Sequence, residues 1–456
     1  MKYAQEISGM INAFNDSELT GKDLDTFYYD GTMFARTGVP GRSPINELYA
    51  ACKLPAEKSA YLLLGHRGCG KSTELNKMSE RLRNEGYLIT TIQCNDNLDI
   101  NNPLYTDLMV LMCDALLKMA KECGCELSED IRKTIASFWK DATRVEKSGR
   151  DEESSVGAEL SVNAPKLPVP ILGDLLQLGV GVKSSIKYHE ASVEEYRSRI
   201  TRRIGDWIRT MNKIADSIAD KKDGKRPIII FEDLDKLDQK NAEMVFFERT
   251  SCLTGYGFPI IYTFPIALSY TARYNTLTPQ FKKAYRFPMI KIETEEGDVF
   301  EEGFKTIYDL VKKRVKTELF DGDAFFFNKE MCGESVLYRM VEKTGGSLRN
   351  LFEVIREAST LAMTRRAETI GMQDADIALT ELQSELIIRI EDQNYPFLAR
   401  ICKGKKRQIE DKAMLLEMMQ AGVVLEYNGR QWHNVHPLVR DFLEEENLLG
   451  EGSLPG

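Results

Sequence analysis

The chain has 456 residues, 43% hydrophobic and 29% charged, a composition typical of a globular protein with about three domains. With 61 Lys and Arg against 70 Asp and Glu its formal net charge is −9, so the surface as a whole is not expected to attract nucleic acid. It has no apolar run of the roughly 18 residues that span a bilayer and no signal-peptide features, which predicts a cytoplasmic protein without membrane contact. Its nine cysteines are scattered without metal spacing, which predicts reduced thiols and no zinc site.

A glycine-rich loop stands between the first predicted strand and helix. The strand-like run AYLLLG precedes GHRGCGKST, and the next residues carry Leu75, Met78 and Leu82 at helical spacing. The pattern G-x-x-x-x-G-K-S is that of a loop whose backbone N–H groups surround phosphates. A chance glycine loop is disfavoured because strand, loop and helix occur together. The predicted nucleotide-binding residues are Gly65, Gly68, Gly70, Lys71, Ser72 and Thr73.

Within this loop two side chains have predicted chemical roles. Lys71 would reach the β- and γ-phosphates, and the hydroxyl of Ser72 would be a ligand of Mg²⁺. The helix that begins at Lys71 would direct its positive N-terminal end toward the phosphates. The sequence thus predicts ATP and Mg²⁺ as cofactors.

The next predicted elements alternate between strand and helix. Residues 87–96 read as a second strand, and a long helix follows with apolar residues at helical spacing. Residues 147–187 interrupt this order, first charged and then rich in Gly, Pro and Val; a surface insertion or hairpin is favoured over a partner-binding device. A charged helix over about 192–219 leads to the third strand.

Carboxylates follow the buried strand PIIIF. Glu232, Asp233 and Asp235 come at its carboxyl end, where ligands of open α/β sheets bind. One carboxylate at such a site holds Mg²⁺ and another aligns and deprotonates the attacking water, and we assign these roles to Glu232 and Asp233 respectively. The alternative is an acidic turn that only caps a helix, which is disfavoured behind a phosphate loop.

Two further side chains are candidates for catalysis. Thr263, near the end of the strand FPIIYTFP, would hold the attacking water between the two carboxylates, although Thr is also common in strands. Arg249, in the helix-like stretch AEMVFFERTSCL, would reach the γ-phosphate of a neighbouring subunit as an arginine finger. A solvated surface arginine is an equal alternative for Arg249.

The motifs GHRGCGKST, PIIIFEDLD and IIYTFP, in this order, resemble those of AAA+ and STAND-like P-loop ATPases, particularly bacterial members related to the origin-recognition type. The stretch TGGSLRNLFEVIREA resembles the sensor-2 segment of that group, which implies that Arg349 touches the γ-phosphate from a lid domain. The resemblance covers about residues 30–365. It departs from the family at Glu232 and Asp233, where Asp and then Glu are usual, so the resemblance implies ATP binding more firmly than rapid hydrolysis.

The C-terminal part has its own pattern. Helix-like stretches, the pair Asn428-Gly429 between two β-rich runs, and a final helix predict a winged-helix-like domain. A cluster of Lys403, Lys405, Lys406 and Arg407 is either a patch for nucleic-acid phosphates or a solvated face, and the second is favoured. We expect Trp432, His433 and His436 to pack within the wing and to bind no metal.

These patterns predict an α/β P-loop NTPase fold, a parallel sheet flanked by helices, with a helical lid and a C-terminal winged-helix-like domain. The predicted boundaries are an N-terminal segment over 1–45, the ATPase core over 46–292, the lid over 293–385 and the winged-helix-like domain over 386–456.

Three functions are compatible with this organisation. The first is an ATP-hydrolysing switch or oligomeric assembly, placed by the resemblance in bacterial regulation or defence against phage, with a separately encoded effector protein. The second is an initiator or loader ATPase that binds DNA through the winged helix, which the net charge disfavours. The third is a nucleotide-binding scaffold with little hydrolysis. The expected partners are ATP, further copies of the chain and an effector; DNA is not favoured.

Overall fold

A parallel β-sheet forms the centre of the fold. The structure is a computed structural model that describes residues 1–15, 17–54, 59–139, 197–404, 409–427 and 432–449. The strands of the sheet are β1 (Ala60–Leu64), β2 (Ile89–Gln93), β3 (Ile228–Glu232), β4 (Ile260–Phe264) and β5 (Lys283–Arg286). Their order is β2-β3-β4-β1-β5, and every pairing is parallel. The predicted parallel sheet is confirmed.

Helices flank the sheet and make up much of the rest of the described residues. Those up to the last strand of the sheet are Ile7–Ala13, Gly21–Phe27, Thr32–Thr37, Pro44–Lys53, Lys71–Asn84, Cys94–Asn97, Tyr105–Glu122, Glu129–Trp139, Ile204–Lys221, Gln239–Phe246, Ser251–Thr254 and Tyr274–Leu277. Those after it are Glu301–Lys312, Val336–Lys343, Leu348–Thr364, Met372–Ile387, Tyr395–Cys402, Lys412–Gln420 and Pro437–Glu445. We call Lys71–Asn84 the phosphate-loop helix and Leu348–Thr364 the lid helix. Among the described residues, no helix combines the length and the apolar character needed to cross a membrane.

The strands of the sheet alternate their side chains between two apolar cores. Leu62 packs in the core that contains the helices Tyr105–Glu122 and Ile204–Lys221. Leu63 packs in the core that contains the phosphate-loop helix. Every residue of β1, β3 and β4 is buried, as expected for parallel strands covered on both faces. Burial on both faces explains why these strands read as continuous apolar runs in the sequence.

The register of the strands places their carboxyl ends at one edge of the sheet. Leu64 pairs with Phe264, and Phe231 lies beside Tyr262. Because β4 lies between β1 and β3, the glycine-rich loop after β1 and the acidic turn after β3 lie on either side of the end of β4. The sheet therefore brings together two motifs that are far apart in the sequence.

The N-terminal segment packs against the lid helix. The rings of Phe14 and Phe352 lie 5.2 Å apart between centroids, and Arg356 donates a hydrogen bond of 2.6 Å to the carbonyl of Phe14. This contact holds the residues that follow Phe14 beside the glycine-rich loop.

A small antiparallel hairpin lies near the C-terminus. Its strands are β6 (Val424–Tyr427) and β7 (Trp432–Val435), with helices before and after them. The hairpin and its helices agree with the predicted winged-helix-like domain. The predicted turn pair Asn428-Gly429 lies outside the described residues, and so does most of the basic cluster.

Some sequence-based boundaries differ from the structure. The strand predicted over 87–96 is only Ile89–Gln93, because the chain turns at once into the short helix Cys94–Asn97. No strand was predicted at the position of β5. The predicted insertion over 147–187 lies outside the described residues, and the domain boundaries stay predictions.

Gly346 allows the chain to enter the lid helix. Its φ is +79°, and a Cβ atom there would lie 1.9 Å from the carbonyl oxygen of Ile290. We expect Gly346→Ala to lower the free energy of unfolding by roughly 1–3 kcal/mol, since alanine adds both backbone strain and a clash. Urea unfolding measures this loss. Gly333→Ala is the control, because a Cβ there meets no atom within 4 Å; equal losses for both variants would contradict the assignment.

Candidate phosphate-binding site

Two glycines allow the glycine-rich loop to turn tightly into the helix that follows it. Gly68 and Gly70 adopt φ of +74° and +97°, a left-handed conformation that side chains disfavour. The phosphate-loop helix begins at Lys71, immediately after Gly70. Its first N–H groups therefore lie at the loop, where they favour an anion.

The ammonium of Lys71 is buried and makes three close contacts. Its Nζ donates to the carbonyl of Gly65 at 2.8 Å and to that of His66 at 2.7 Å, and it lies 2.8 Å from the Asp235 carboxylate. Burial alone would lower the pKa of Lys71, but the charge and hydrogen bond of Asp235, together with the smaller effects of Cys69 and Glu232, outweigh burial and raise it. Lys71 therefore stays charged, and its partner is Asp235, to which the sequence analysis assigned no role.

The carboxylates at the end of β3 and in the turn after it differ in their exposure to solvent. Glu232 is buried at the end of the strand, with only 1% of its surface exposed. Asp233 has a φ of +69° and lies 2.6 Å from the ammonium of Lys236. Asp233 therefore lies nearer to solvent, whereas Glu232 and Asp235 point into the protein.

Burial gives Glu232 an unusual acidity. Its Oε2 accepts a hydrogen bond of 3.1 Å from the amide of Gln93, and its Oε1 has no hydrogen-bond partner among the described residues. Burial raises the pKa of Glu232 to about 7, although Ser72 and Gln93 act in the opposite direction. The carboxyl group is consequently half protonated near neutral pH.

The predicted Mg²⁺ ligands, Ser72 and Glu232, would suit a magnesium site that a nucleotide completes. A hydrogen bond with the side chain of Ser72 acts to lower the pKa of Glu232, whose Oε1 is buried and has no hydrogen-bond partner among the described residues. In the described part of the chain no three His, Cys, Asp or Glu side chains form a metal cage. Mg²⁺ at phosphate sites usually binds one or two protein oxygens together with water and phosphate, so such a cage is not required.

Thr263 lies close to the acidic turn, but its hydroxyl is occupied. The Oγ1 accepts a hydrogen bond of 3.1 Å from the N–H of Leu234 and donates one of 3.3 Å to the carbonyl of Phe231. These bonds fasten the turn that carries Asp233 and Asp235 to the end of β4. The predicted contact of Thr263 with water stays a prediction; the contact that the structure shows is with the turn.

Arg349 lies against the glycine-rich loop, and its expected contact with a γ-phosphate stays a prediction. It is the second residue of the lid helix. A Cβ atom on Gly68 would lie 2.4 Å from the Cβ of Arg349 and 3.1 Å from its Nε, so the two residues are in contact. The lid therefore brings a cation to the loop.

Arg249 does not lie within a helix. The helix predicted to carry it ends at Phe246, and the next helix begins at Ser251. Arg249 is exposed between them. The expected contact with a neighbouring subunit stays a prediction.

The N-terminal segment forms a wall of the site that the sequence analysis missed. The Oγ1 of Thr73 accepts a hydrogen bond of 3.3 Å from the N–H of Leu19, and the hydroxyl of Tyr28 donates one of 3.0 Å to Glu74. A cavity of about 170 Å³ lies between this wall, the loop and the lid helix. Residues that line it include Tyr28, Thr32, Lys71, Ser72, Asp233 and Arg349.

Buried Arg36 supports the same loop from the N-terminal segment. Its guanidinium donates hydrogen bonds of 2.8 Å to the carbonyl of Cys69 and of 2.7 Å to that of Pro288, and it lies 4.4 Å from the centre of the Phe287 ring. No local sequence signal marks Arg36, because its partners come from distant parts of the chain.

The C-terminal hairpin also contacts the loop. The Nε2 of His66 accepts a hydrogen bond of 2.8 Å from the N–H of Glu426 in β6. Burial, and next the charge of Lys71, lower the pKa of His66 to about 3, so the ring is neutral. Arg286 holds the side chain of Glu426 at 2.7 Å. The loop is thus in contact with the N-terminal segment, the lid and the hairpin.

No protein-family model and no curated protein matches the chain. Among solved structures, the Aeropyrum pernix ORC2 protein in its ADPNP–ADP complexes is similar at 10% identity and a TM-score of 0.35, over 96% of this chain and 97% of that one. The Thermotoga maritima RuvB Holliday junction branch migration motor has 9% identity and a TM-score of 0.32, over 90% and 99%. The structure of Drosophila ORC bound to DNA is similar at 11% identity and a TM-score of 0.36, over 92% of this chain and 78% of that one. TM-scores and sequence identities this low do not establish a family for the chain.

The pKa of Glu232 predicts how stability depends on pH. A carboxyl group with a pKa of about 7 when folded and 4.5 when unfolded stabilises the fold below pH 4.5, and this contribution is lost as pH rises to 7. Glutamine does not ionise, so Glu232→Gln does not lose this contribution. Between pH 4.5 and pH 8 the free energy of unfolding of the variant should therefore rise by about 3 kcal/mol relative to that of wild type. Urea unfolding without nucleotide or metal measures the difference; a difference independent of pH would contradict the assignment.

Proposed function

We propose that the chain binds ATP and hydrolyses it with Mg²⁺. The observation that carries this proposal is the cavity at the carboxyl edge of the sheet, lined by Lys71, Ser72 and Asp233 and bounded by Arg349 of the lid helix. Two cations and the start of a helix converge on a glycine-rich loop there. This arrangement suits a polyphosphate, since each feature favours negative charge.

The carboxylates are proposed to divide the work of hydrolysis. Asp233 lies nearer to solvent and would accept a proton from the attacking water, whereas Glu232 lies beside Ser72 on the side suited to the metal. The bound metal would offset negative charge on the phosphates. Asp233 is one methylene shorter than a glutamate and lies beside Lys236, so we expect slow turnover.

We propose that nucleotide controls the contact between core, lid and C-terminal hairpin. Arg349 contacts Gly68 of the loop, and the N–H of Glu426 is bonded to His66 of the same loop. A change in the conformation of the loop would therefore alter its contacts with both the lid helix and the C-terminal hairpin. This is the support for a nucleotide-driven switch.

Several finer roles remain part of the proposal without support from contacts in the chain. These are assembly into oligomers with Arg249 as a finger, a separately encoded effector, action in defence against phage, and the alternative of a scaffold with little hydrolysis. DNA binding stays the less favoured alternative, because the formal net charge of the chain is −9.

Lys71→Ala should abolish tight binding of ATP, because it removes the cation opposite the β- and γ-phosphates. Isothermal titration calorimetry measures the affinity, and a cooperative unfolding transition shows that the variant is folded. Lys213→Ala is the matched control: this exposed lysine pairs with Asp130 on the outside of the core. Wild-type affinity in Lys71→Ala would exclude the proposed site.

Asp233→Asn should bind ATP normally and hydrolyse it more slowly, by a factor on the order of 10², because an amide does not accept the proton of water. Phosphate release measures the rate. Lys236→Ala is the control, since it breaks the same ion pair and leaves the carboxylate. Normal turnover in Asp233→Asn together with an inactive Glu232→Gln would show that the two roles are reversed.

A further inference from the structure

Asp235 lies at the proposed nucleotide site, and the role that we assign to it rests on that site binding a nucleotide. The ammonium of Lys71 has three protons, and each has an acceptor within the protein: the carbonyls of Gly65 and His66 and the carboxylate of Asp235. A phosphate oxygen that binds Lys71 must therefore replace one of these three acceptors.

Asp235 is the acceptor that a phosphate would replace. The two carbonyls belong to the loop itself, five and six residues from Lys71, and move only if the loop refolds. The Asp235 side chain needs only to rotate. It also carries a negative charge, which repels a phosphate, whereas the carbonyls are neutral.

The surroundings of Asp235 offer it other partners. The charges of Lys236 and Arg67 both lower the pKa of Asp235, and the guanidinium of Arg67 donates a hydrogen bond of 2.8 Å to the carbonyl of Lys236, the next residue of the turn. Asp235 and Arg67 line the nucleotide cavity and also a second cavity of about 170 Å³. Leu425 of the hairpin and Gly422 before it line that second cavity. A displaced carboxylate therefore has cations beside it and space that adjoins the C-terminal hairpin.

We propose that Asp235 competes with the phosphates of a nucleotide for Lys71, so that it sets the affinity of the site and moves to Arg67 at the second cavity when a nucleotide binds. The buried pair is held at 2.8 Å with 6% and 8% of the two side chains exposed, so breaking it costs part of the binding energy. Nucleotide binding thereby changes the charge that faces the C-terminal hairpin.

Asp235→Asn tests the proposal, since it removes the charge and keeps the size. We expect the Kd for ATP and for ADP, measured by calorimetry, to fall by about tenfold or more. An unchanged or higher Kd would overturn the proposal, because it would mean that Asp235 positions Lys71 for the phosphates. If Asp235→Asn does not fold, Asp235→Ser removes the same charge and gives the same two outcomes.

A matched control is available in another buried ion pair. Asp107 lies 2.7 Å from Arg197, with 7% and 8% of the side chains exposed, away from the loop. Asp107→Asn should leave the Kd for ATP unchanged. A tenfold fall in this variant as well would assign the effect to loss of a buried pair in general and overturn the specific role of Asp235.

A measurement without nucleotide separates this inference from the proposed function. In a double-mutant cycle of Lys71→Ala and Asp235→Asn, urea unfolding should show that the effects of the two changes are strongly non-additive. If wild type bound no ATP, the proposed function would fail, yet the cycle would still report the pair. Additive effects would overturn the inference whatever the affinity for ATP.

Discussion

The site depends on the contacts that the buried ammonium of Lys71 makes. The ammonium joins the carbonyls of Gly65 and His66 to Asp235, and so connects the loop after β1 with the turn after β3 across the end of β4. A buried ion pair whose partner is removed leaves an uncompensated charge, which is strongly destabilising. The same group therefore holds the loop in shape and is the group expected to bind phosphate, so ligand binding and the local structure are coupled.

The rest of the chain is arranged around this loop. Arg36 of the N-terminal segment bonds to the carbonyl of Cys69, Arg349 of the lid helix touches Gly68, and β6 donates to His66. Each of these contacts is with the backbone of the loop or with a side chain it carries, close to Lys71. A nucleotide that alters the loop would therefore alter contacts with three other parts of the chain at once.

The features that could be predicted from the sequence are those with a local sequence motif. The motif G-x-x-x-x-G-K-S identifies Lys71 and Ser72, and a buried apolar run identifies the strand at whose end the carboxylates lie. The sequence could not predict that Asp235 is the partner of Lys71, because Glu232, Asp233 and Asp235 lie close together in the sequence and only packing decides which of them contacts the lysine. The contact of His66 with Glu426 joins positions 360 residues apart, so no local pattern contains it. The predicted helix at Arg249 is wrong because the helix ends at Phe246.

A structure of the wild-type chain with a bound, non-hydrolysable ATP analogue tests the central claim most directly. The account predicts phosphates within hydrogen-bonding distance of the Lys71 ammonium and the N–H groups that begin the phosphate-loop helix, Arg349 at the phosphates, and Asp235 separated from Lys71 and facing Arg67. An analogue bound elsewhere would contradict the proposed function. An analogue bound at the loop, with the contact of 2.8 Å between Lys71 and Asp235 intact, would contradict the role given to Asp235.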